Sequence, residues 1–254
     1  MLVYDLMASL NLMEKIHYPV LKEEVLNLLD PKLNTNAIDG TLGDGGHSGA
    51  ILERISPKGM LLGIDLDPRA LEFSAERLSV FGNRFVAVQG NFSSMEELAL
   101  ANKFPAPSSI LLDLGLRTGE LESSGRGFSF KKDEPLDMRF DPGSPYTAAH
   151  IVNSLSRDEL AAMLHSFGGE PLSAQIAGAI VSERRKDPIV TSGRLSEIVL
   201  SVYRKKLKSK KDIPWIGGLH PATRTFQAIR IRTNDELEHL RAALPQAIRM
   251  LAPG

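Results

Sequence analysis

Residues 37–48, AIDGTLGDGGHS, form a glycine-rich turn with the composition of a nucleotide-binding site. An apolar lead-in ends at Asp39, glycine follows at positions 40, 43, 45 and 46, and the helix-like run AILERI comes next. Glycines let a backbone approach a ligand closely, and the free N–H groups at the start of a helix favour an electron-rich or anionic group. The turn therefore predicts a nucleotide-like cofactor, with a tight structural turn as the alternative interpretation.

The glycine spacing separates two classes of cofactor. The turn reads D-x-T-x-G-x-G-G from Asp39 to Gly46, which departs from the dinucleotide pattern G-x-G-x-x-G. It is closer to the D-x-G-x-G-x-G turn of S-adenosylmethionine (SAM) enzymes. A nicotinamide-dependent oxidoreductase remains a rival class, but the glycine pattern that it needs is absent.

Asp65 is the first candidate binding residue outside the turn. It ends the apolar run MLLGI (60–64) and lies 19 residues after Gly46, where an acid at the end of a second strand accepts both ribose hydroxyls. The alternative is a helix N-cap. We assign that role to Asp67 instead, because Pro68 follows it and proline is favoured at the first helical position.

Phe92 and Asp113 follow two further strand-like runs, FVAVQ (85–89) and SILLDL (109–114). Phe92 is a candidate for covering an adenine ring, although an aromatic residue at a strand end is more often ordinary core. Four strands that alternate with helices predict a doubly wound parallel α/β sheet, whose ligands sit at the carboxyl ends of the strands. Asp39, Asp65, Phe92 and Asp113 all map to that edge.

Beyond the fourth strand, the alternation of strand and helix patterns in the sequence ends. Residues 115–145 lack a regular pattern but are rich in apolar and aromatic side chains, which predicts an ordered, functional loop. Ser156 and Glu159 form a capping-box pattern ahead of a helix, and further helices are predicted at 173–185 and 193–207. The helical stretch therefore looks like an insertion in the α/β unit.

Charge is unevenly distributed along the chain. Residues 181–232 hold 13 lysines and arginines against four acidic residues, so this segment carries +9 in a chain of net charge −1. A separated basic region is typical of a polyanion site, and a solvated face with a basic loop is the alternative.

Composition excludes several classes of protein. The chain has 254 residues and no cysteine, which rules out disulfides and thiolate metal sites and agrees with a reducing cytoplasm. The N-terminus lacks a basic signal-peptide region and no apolar run approaches the length of a membrane span, so we expect neither export nor membrane insertion. We predict no metal site.

Eight stretches in a fixed order resemble one family. They are HYPVL, DGTLGDGGHS, LLGIDLDP, NFS, LLDLG, RGFSF, PLDMRFD and HPATRTFQAIRI, and together they span His17 to Gly254. The chain resembles the bacterial small-subunit ribosomal RNA cytosine-N4 methyltransferases, the RsmH or MraW family. PLDMR together with HPATRTFQA is the specific pairing.

The resemblance implies a class I SAM methyltransferase sheet with an inserted helical domain. It implies an α/β domain at 16–146, a helical RNA-recognition domain at 147–218 and a return to the α/β domain at 219–254. The partner would be 16S rRNA in the small ribosomal subunit, with a homodimer left open. The implied cofactor contacts are Gly43, Gly45, Gly46, His47, Asp65, Phe92, Asp113 and Glu120, and the candidate RNA contacts are Arg184, Arg185, Lys205, Lys206, Lys210 and Lys211.

Asp113 is the candidate catalytic residue. The N4 amine of cytosine is a poor nucleophile because its lone pair is delocalised, so the enzyme must orient it towards the activated methyl and accept its N–H bonds. Asp113 is placed for that task, and the resemblance alternatively gives it a cofactor contact. The target base must also leave its stack.

The chain departs from the family in three respects. Arg117, Thr118 and Glu120 replace two serines and a glutamine beside the cofactor. Glu134 stands where glycine is usual before PLDMR, and FGGE replaces the usual YGEE around Phe167. The family also continues past LAPG with further strands, so we expect strand order 3-2-1-4, an exposed fourth strand, and a fragment that is weak or inactive. A non-catalytic SAM- or RNA-binding remnant, or a methyltransferase for another nucleic acid, therefore stays open.

Overall fold

A computed structural model of the protein describes residues 19–116, 124–208 and 218–252. The chain divides into two compact units, which we call the α/β unit (up to Leu114 and again from Leu240) and the helical unit (Gly115–His239). These boundaries differ from the predicted ones at 146 and 219. The reason is packing: Phe128, Leu136 and Met138 from the predicted loop are buried in the core of the helical unit.

The α/β unit contains a parallel sheet of four strands in the order β3-β2-β1-β4, which confirms the predicted order 3-2-1-4. The strands are β1 (Ala37–Asp39), β2 (Leu61–Asp65), β3 (Phe85–Gln89) and β4 (Ser109–Leu111). β1 and β2 are buried along nearly their whole length, as expected for strands covered on both faces.

Helices cover both faces of this sheet. They are α1 (Lys22–Leu29), α2 (Gly46–Arg54), α3 (Pro68–Arg77) and α4 (Met95–Ala101), with 3₁₀ turns at Ser79–Arg84 and Phe92–Ser94. Successive residues of a strand point to opposite faces, so Leu61 packs in one core with Ile51, whereas Leu62 packs in the other with Met95.

The helical unit contains α5 (Ala148–Ser154), α6 (Arg157–Gly168), α7 (Ser173–Arg184), α8 (Ser192–Leu207) and α9 (Thr223–Thr233). The last helix, α10 (Glu236–Met250), begins in this unit and continues into the α/β unit, where Ala243 and Ala247 are buried. Ser156 and Glu159 form the predicted capping box at the start of α6. Their reciprocal bonds satisfy backbone N–H groups that the helix itself leaves unpaired.

The segment 124–147 is ordered by two polar side chains. Arg139 donates to both carboxylate oxygens of Asp137, with both distances 2.7 Å, and its guanidinium also reaches the carbonyls of Pro142 and Ser144. Asn234, which caps the end of α9, donates to the Met138 carbonyl and accepts from the Phe140 N–H at 2.7 Å each. The PLDMRFD motif is therefore a folded loop held by α9.

No helix within residues 19–116, 124–208 and 218–252 combines the length and apolarity that a membrane span requires.

Candidate functional site

The glycine turn follows β1 at the carboxyl edge of the sheet. Gly43 and Gly45 adopt positive φ values of 52° and 72°, which side chains other than glycine rarely tolerate. A Cβ on Gly45 would also lie 3.0 Å from the Leu78 side chain. Gly45 is the N-cap of α2, so the first N–H groups of that helix lie directly after the turn.

The Asp65 side chain connects the turn to the end of β2 by hydrogen bonds. Its Oδ2 accepts the Gly43 N–H at 2.8 Å, and its Oδ1 accepts the Asp67 N–H at 2.9 Å. Asp67 in turn caps α3 by accepting the Arg69 N–H at 3.0 Å, with Pro68 at the first position, as predicted. Two backbone N–H groups therefore hold the Asp65 carboxylate in one orientation beside the turn.

The buried Asp39 side chain holds the glycine turn by hydrogen bonds. This residue was not among the predicted site residues. Its side chain is 1% exposed; Oδ2 accepts the Ser48 hydroxyl at 2.7 Å and Oδ1 accepts the Thr41 N–H at 3.1 Å. Burial raises the pKa of the Asp39 carboxyl, and the bonds from Ser48 and Thr41 act in the opposite direction. The position of an acid directly before the glycines is the sequence signal for this role.

Asp113 lies two residues beyond the observed end of β4. The predicted strand at 109–114 was therefore too long, because β4 stops pairing with β1 at Leu111. The backbone N–H of Asp113 donates to Thr41 Oγ1 at 2.7 Å, and the Asp113 side chain is 59% exposed. The predicted catalytic carboxylate thus reaches solvent at the same edge as the turn.

His47, in the first turn of α2, contacts this carboxylate. Its Nε2 lies 3.5 Å from Asp113 Oδ2, yet neither ring nitrogen makes a hydrogen bond in the described part of the chain, and the residue is only 8% exposed. Buried polar atoms are nearly always hydrogen-bonded, so this imidazole is the kind of group that a ligand completes.

Phe92 lies near the turn but also belongs to the core. It packs partly buried against the cluster that contains Ile38 and Ile64. A Cβ on Gly40 would lie 3.0 Å from the Phe92 Cβ, so glycine at position 40 allows this close approach. The core interpretation of Phe92 holds in part, and its Cβ approaches the turn at Gly40 as well.

The candidate RNA residues lie in the helical unit and are not equivalent. Arg184 is half-buried and donates to the Val152 carbonyl at the end of α5 at 2.7 Å, which gives it a structural task. Arg185, Lys205 and Lys206 are exposed. Glu120, Lys210 and Lys211 lie outside the described residues, as do Arg117 and Thr118.

A groove of about 890 Å³ runs between α7 and α8, and its lining includes Lys205 and Lys206. Arg157, which sequence reasoning missed, lines it as well, and so does Arg194, one of the 13 basic residues of segment 181–232. Of its two acidic residues, Glu183 contacts Lys186 at 2.6 Å and Glu197 pairs with Arg204. The lining is therefore basic overall.

Among the described residues, no cluster of three or more His, Asp or Glu side chains has the arrangement of a metal site.

A parallel sheet of order 3-2-1-4, a glycine turn after β1 and an acid at the end of β2 are shared by dinucleotide-binding sheets and class I SAM-dependent methyltransferases. Because the turn lacks the G-x-G-x-x-G spacing of the dinucleotide class, the fold is that of a class I SAM-dependent methyltransferase. A model of the MraW methylase family matches residues 14–254, and the chain belongs to that family. The resemblance inferred from the motifs is confirmed.

Similar proteins in three bacteria carry the name ribosomal RNA small subunit methyltransferase H. Those of Desulfosudis oleivorans and Geobacter sulfurreducens are 43% and 44% identical to this chain, over 94% of this chain and 74% of theirs. That of Thermomicrobium roseum is 42% identical, over 94% of this chain and 70% of its own length.

Proposed function

We propose that this protein transfers a methyl group from SAM to the N4 amine of a cytidine in the decoding region of 16S ribosomal RNA. The observation that carries the proposal is the convergence of the glycine turn, Asp65 and Asp113 at one sheet edge in a member of the MraW methylase family. The names of the relatives support ribosomal RNA of the small subunit as the substrate. The cytosine-N4 position rests on the motif resemblance alone.

The residues of the α/β unit fit SAM. The turn at Gly43, Gly45 and Gly46 offers backbone close to a ligand, and the Asp65 carboxylate is held where ribose hydroxyls are bound in such sheets. The buried His47 ring, whose nitrogens make no hydrogen bond to described residues, is an orphaned polar group beside them. Phe92 would border the adenine, and Glu120 stays a proposed contact.

Bound SAM supplies a sulfonium methyl group that is already activated for transfer. The task of the protein is then to place the amine in line with that methyl, an orientation effect worth several kcal/mol. Asp113 would accept an N–H of the exocyclic amine, so that the nitrogen lone pair localises towards the methyl, and its carboxylate would take up the proton that the nitrogen loses when the N–C bond forms. Its exposed carboxylate is accessible to an incoming base.

The helical unit would hold the surrounding RNA in the groove between α7 and α8. Arg157, Lys205 and Lys206 line this groove and form no ion pair with the residues that the structure describes. Arg194 reaches Glu183 only at 3.7 Å, beyond hydrogen-bond distance. Phosphate oxygens complement such a surface, and Arg185, Lys210 and Lys211 would extend the contact.

The decisive experiment is incubation of the protein with unmethylated small ribosomal subunits and labelled SAM, followed by mass spectrometry of the RNA. We expect one added methyl group on a cytidine base in the wild type and a much lower but measurable rate of transfer with Asp113→Ala. Calorimetry should show binding of SAM and none of NAD. Methylation on a different base or atom, or no transfer, would contradict the proposal.

Two accompanying properties belong to the same proposal. The reaction on ribosomal subunits places the protein in the cytoplasm, and light scattering at several concentrations tests the homodimer.

A further inference from the structure

Thr41 occupies the place where the SAM turn D-x-G-x-G-x-G has its first glycine. Its φ is not positive, so a side chain is tolerated there, in contrast to Gly43 and Gly45. The Thr41 hydroxyl accepts the backbone N–H of Asp113 at 2.7 Å, across 72 residues of sequence. The threonine therefore makes a contact that the usual glycine has no side chain to make.

This contact continues the pairing of β1 with β4 beyond the sheet. The last backbone bond between the two segments runs from the Gly40 N–H to the Leu111 carbonyl at 2.9 Å. The pairing of β1 with β4 ends at Leu111. The next hydrogen bond between the two segments runs from the Asp113 N–H to a side chain, at Thr41 Oγ1. The backbone at Asp113 is thus anchored although it lies outside β4.

The direction of each hydrogen bond around Thr41 follows from the partners. A backbone N–H only donates and a carboxylate only accepts, so the Thr41 oxygen accepts from Asp113 while its proton points to Asp39 Oδ1, 3.4 Å away. Asp39 is buried and is itself held by the Ser48 hydroxyl and the Thr41 N–H. The Asp39 carboxylate is therefore a rigid but long, weak acceptor for the hydroxyl proton.

We propose that Thr41 is a positioning residue for methyl transfer: its hydroxyl fixes the backbone of Asp113 and thereby holds the Asp113 carboxylate where it receives the N–H of the target amine. This inference rests on the proposed function. Thr41 itself touches neither the methyl group nor the base. Its loss should therefore slow the chemical step without weakening SAM binding.

The test compares Thr41→Val, which keeps the shape but removes the hydroxyl, with Thr41→Ser, which keeps the hydroxyl. We expect Thr41→Val to lower kcat by about 10- to 100-fold, the scale of a catalytic group displaced by a fraction of an ångström to 1 Å. The Kd for SAM should stay unchanged, and Thr41→Ser should recover most of the rate. Equal rates for Thr41→Val and the wild type, or equal losses in both variants, would overturn the proposal.

A double-mutant cycle separates positioning from general damage to the fold. In an Asp113→Ala background, Thr41→Val should cause no further loss of rate, because the carboxylate that it positions is gone. Independent, additive losses would count against the proposal.

Amide hydrogen exchange makes the result independent of the proposed function. The Asp113 amide should exchange at least about tenfold faster in Thr41→Val than in the wild type or Thr41→Ser, because it has lost its acceptor. An unchanged exchange rate would refute the anchor even if the enzyme proved inactive on ribosomal RNA. If the wild type transfers no methyl group but the Asp113 amide shows the expected exchange pattern, only the proposed function is refuted.

Discussion

Asp65 has a task in the fold beside the SAM-binding role that we propose for it. The sequence pattern predicts a ribose contact, and the structure shows the same carboxylate accepting the N–H groups of Gly43 and Asp67. The two tasks are compatible, because the backbone bonds orient the carboxylate at the end of β2. Replacement of Asp65 should therefore affect SAM through two routes.

The first prediction concerns this residue. Asp65→Ala should weaken SAM binding by about 1 to 3 kcal/mol, the scale for losing hydrogen bonds to a charged group. Calorimetric titration measures the change, and circular dichroism checks that the fold is intact. Asp187→Ala, a change of an exposed acid in the helical unit, is the matched control and should leave SAM affinity unaltered. The assignment fails if Asp65→Ala binds SAM as the wild type does.

At the scale of elements, the Asp137–Arg139 pair stabilises the loop that precedes α5. Burial opposes ionisation of Asp137, but the hydrogen bonds and charge of Arg139, with a further contribution from Arg126, outweigh it and lower the pKa of Asp137. A lowered pKa adds stability above the unfolded-state pKa of about 3.9, and that stability is lost as the pH falls through the folded-state pKa.

The second prediction follows from the lowered pKa of Asp137. Asp137→Asn should reduce the free energy of unfolding by about 1 to 3 kcal/mol at pH 7, since it removes a charge-assisted pair of bonds. The difference from the wild type should shrink as the pH falls from the unfolded-state pKa of about 3.9 through the lowered folded-state pKa of Asp137. Urea unfolding across this range measures it, with Asp187→Asn as the control. A difference that is independent of pH would show that the charge of Asp137 contributes nothing.

Helix α8 provides the second test at this scale. Exchange of Lys205 and Lys206 for Gln should lower RNA affinity and flatten its salt dependence, because each phosphate contact with a single strand contributes about −0.7 to the log–log slope. Two lost contacts should therefore reduce the slope by about 1.4. Binding of the RNA is measured at several salt concentrations.

The matched control for α8 exchanges Lys58 and Lys103, which are exposed lysines of the α/β unit, for Gln. This variant changes the net charge by the same amount and should keep the slope of the wild type. SAM affinity should be unchanged in both variants. If the α8 variant keeps the wild-type slope, these lysines are only part of a solvated face.

At the scale of the whole molecule, the two units have separate cores. The α/β unit packs helices on both faces of its sheet, whereas the helical unit buries residues of α5 to α9 together with Phe128, Leu136 and Met138. All of the proposed SAM contacts within the described residues belong to the α/β unit. SAM should therefore be held by one unit, and the basic groove lies in the other.

Hydrogen–deuterium exchange tests this division. Saturating SAM should slow exchange in peptides that cover the glycine turn and the end of β2, and ligand at about 100 times its Kd should raise the stability by about 2.7 kcal/mol. Peptides from α7 and α8 should keep the exchange rates of the SAM-free protein. Protection confined to the helical unit would show that the site has been placed in the wrong unit.

Much of the α/β unit follows from the sequence because its signals are local. The apolar runs of β2 and β3, the glycine turn and the Asp67 cap each involve residues within a few positions of one another, as does the Ser156–Glu159 capping box in the helical unit. Local patterns of this kind can be recognised without knowledge of any long-range contact. The strand order 3-2-1-4 was predicted from the family resemblance, and the structure confirms it.

Other features were decided only by tertiary structure. The end of β4 at Leu111, the bond between Thr41 and Asp113, and the engagement of Arg184 with the Val152 carbonyl all depend on partners far apart in sequence. The same holds for the unit boundary at Gly115, because Phe128, Leu136 and Met138 find their core only when α5 to α9 have packed. Local patterns carry no information about which distant group completes a hydrogen bond or fills a core, so these contacts require the folded chain.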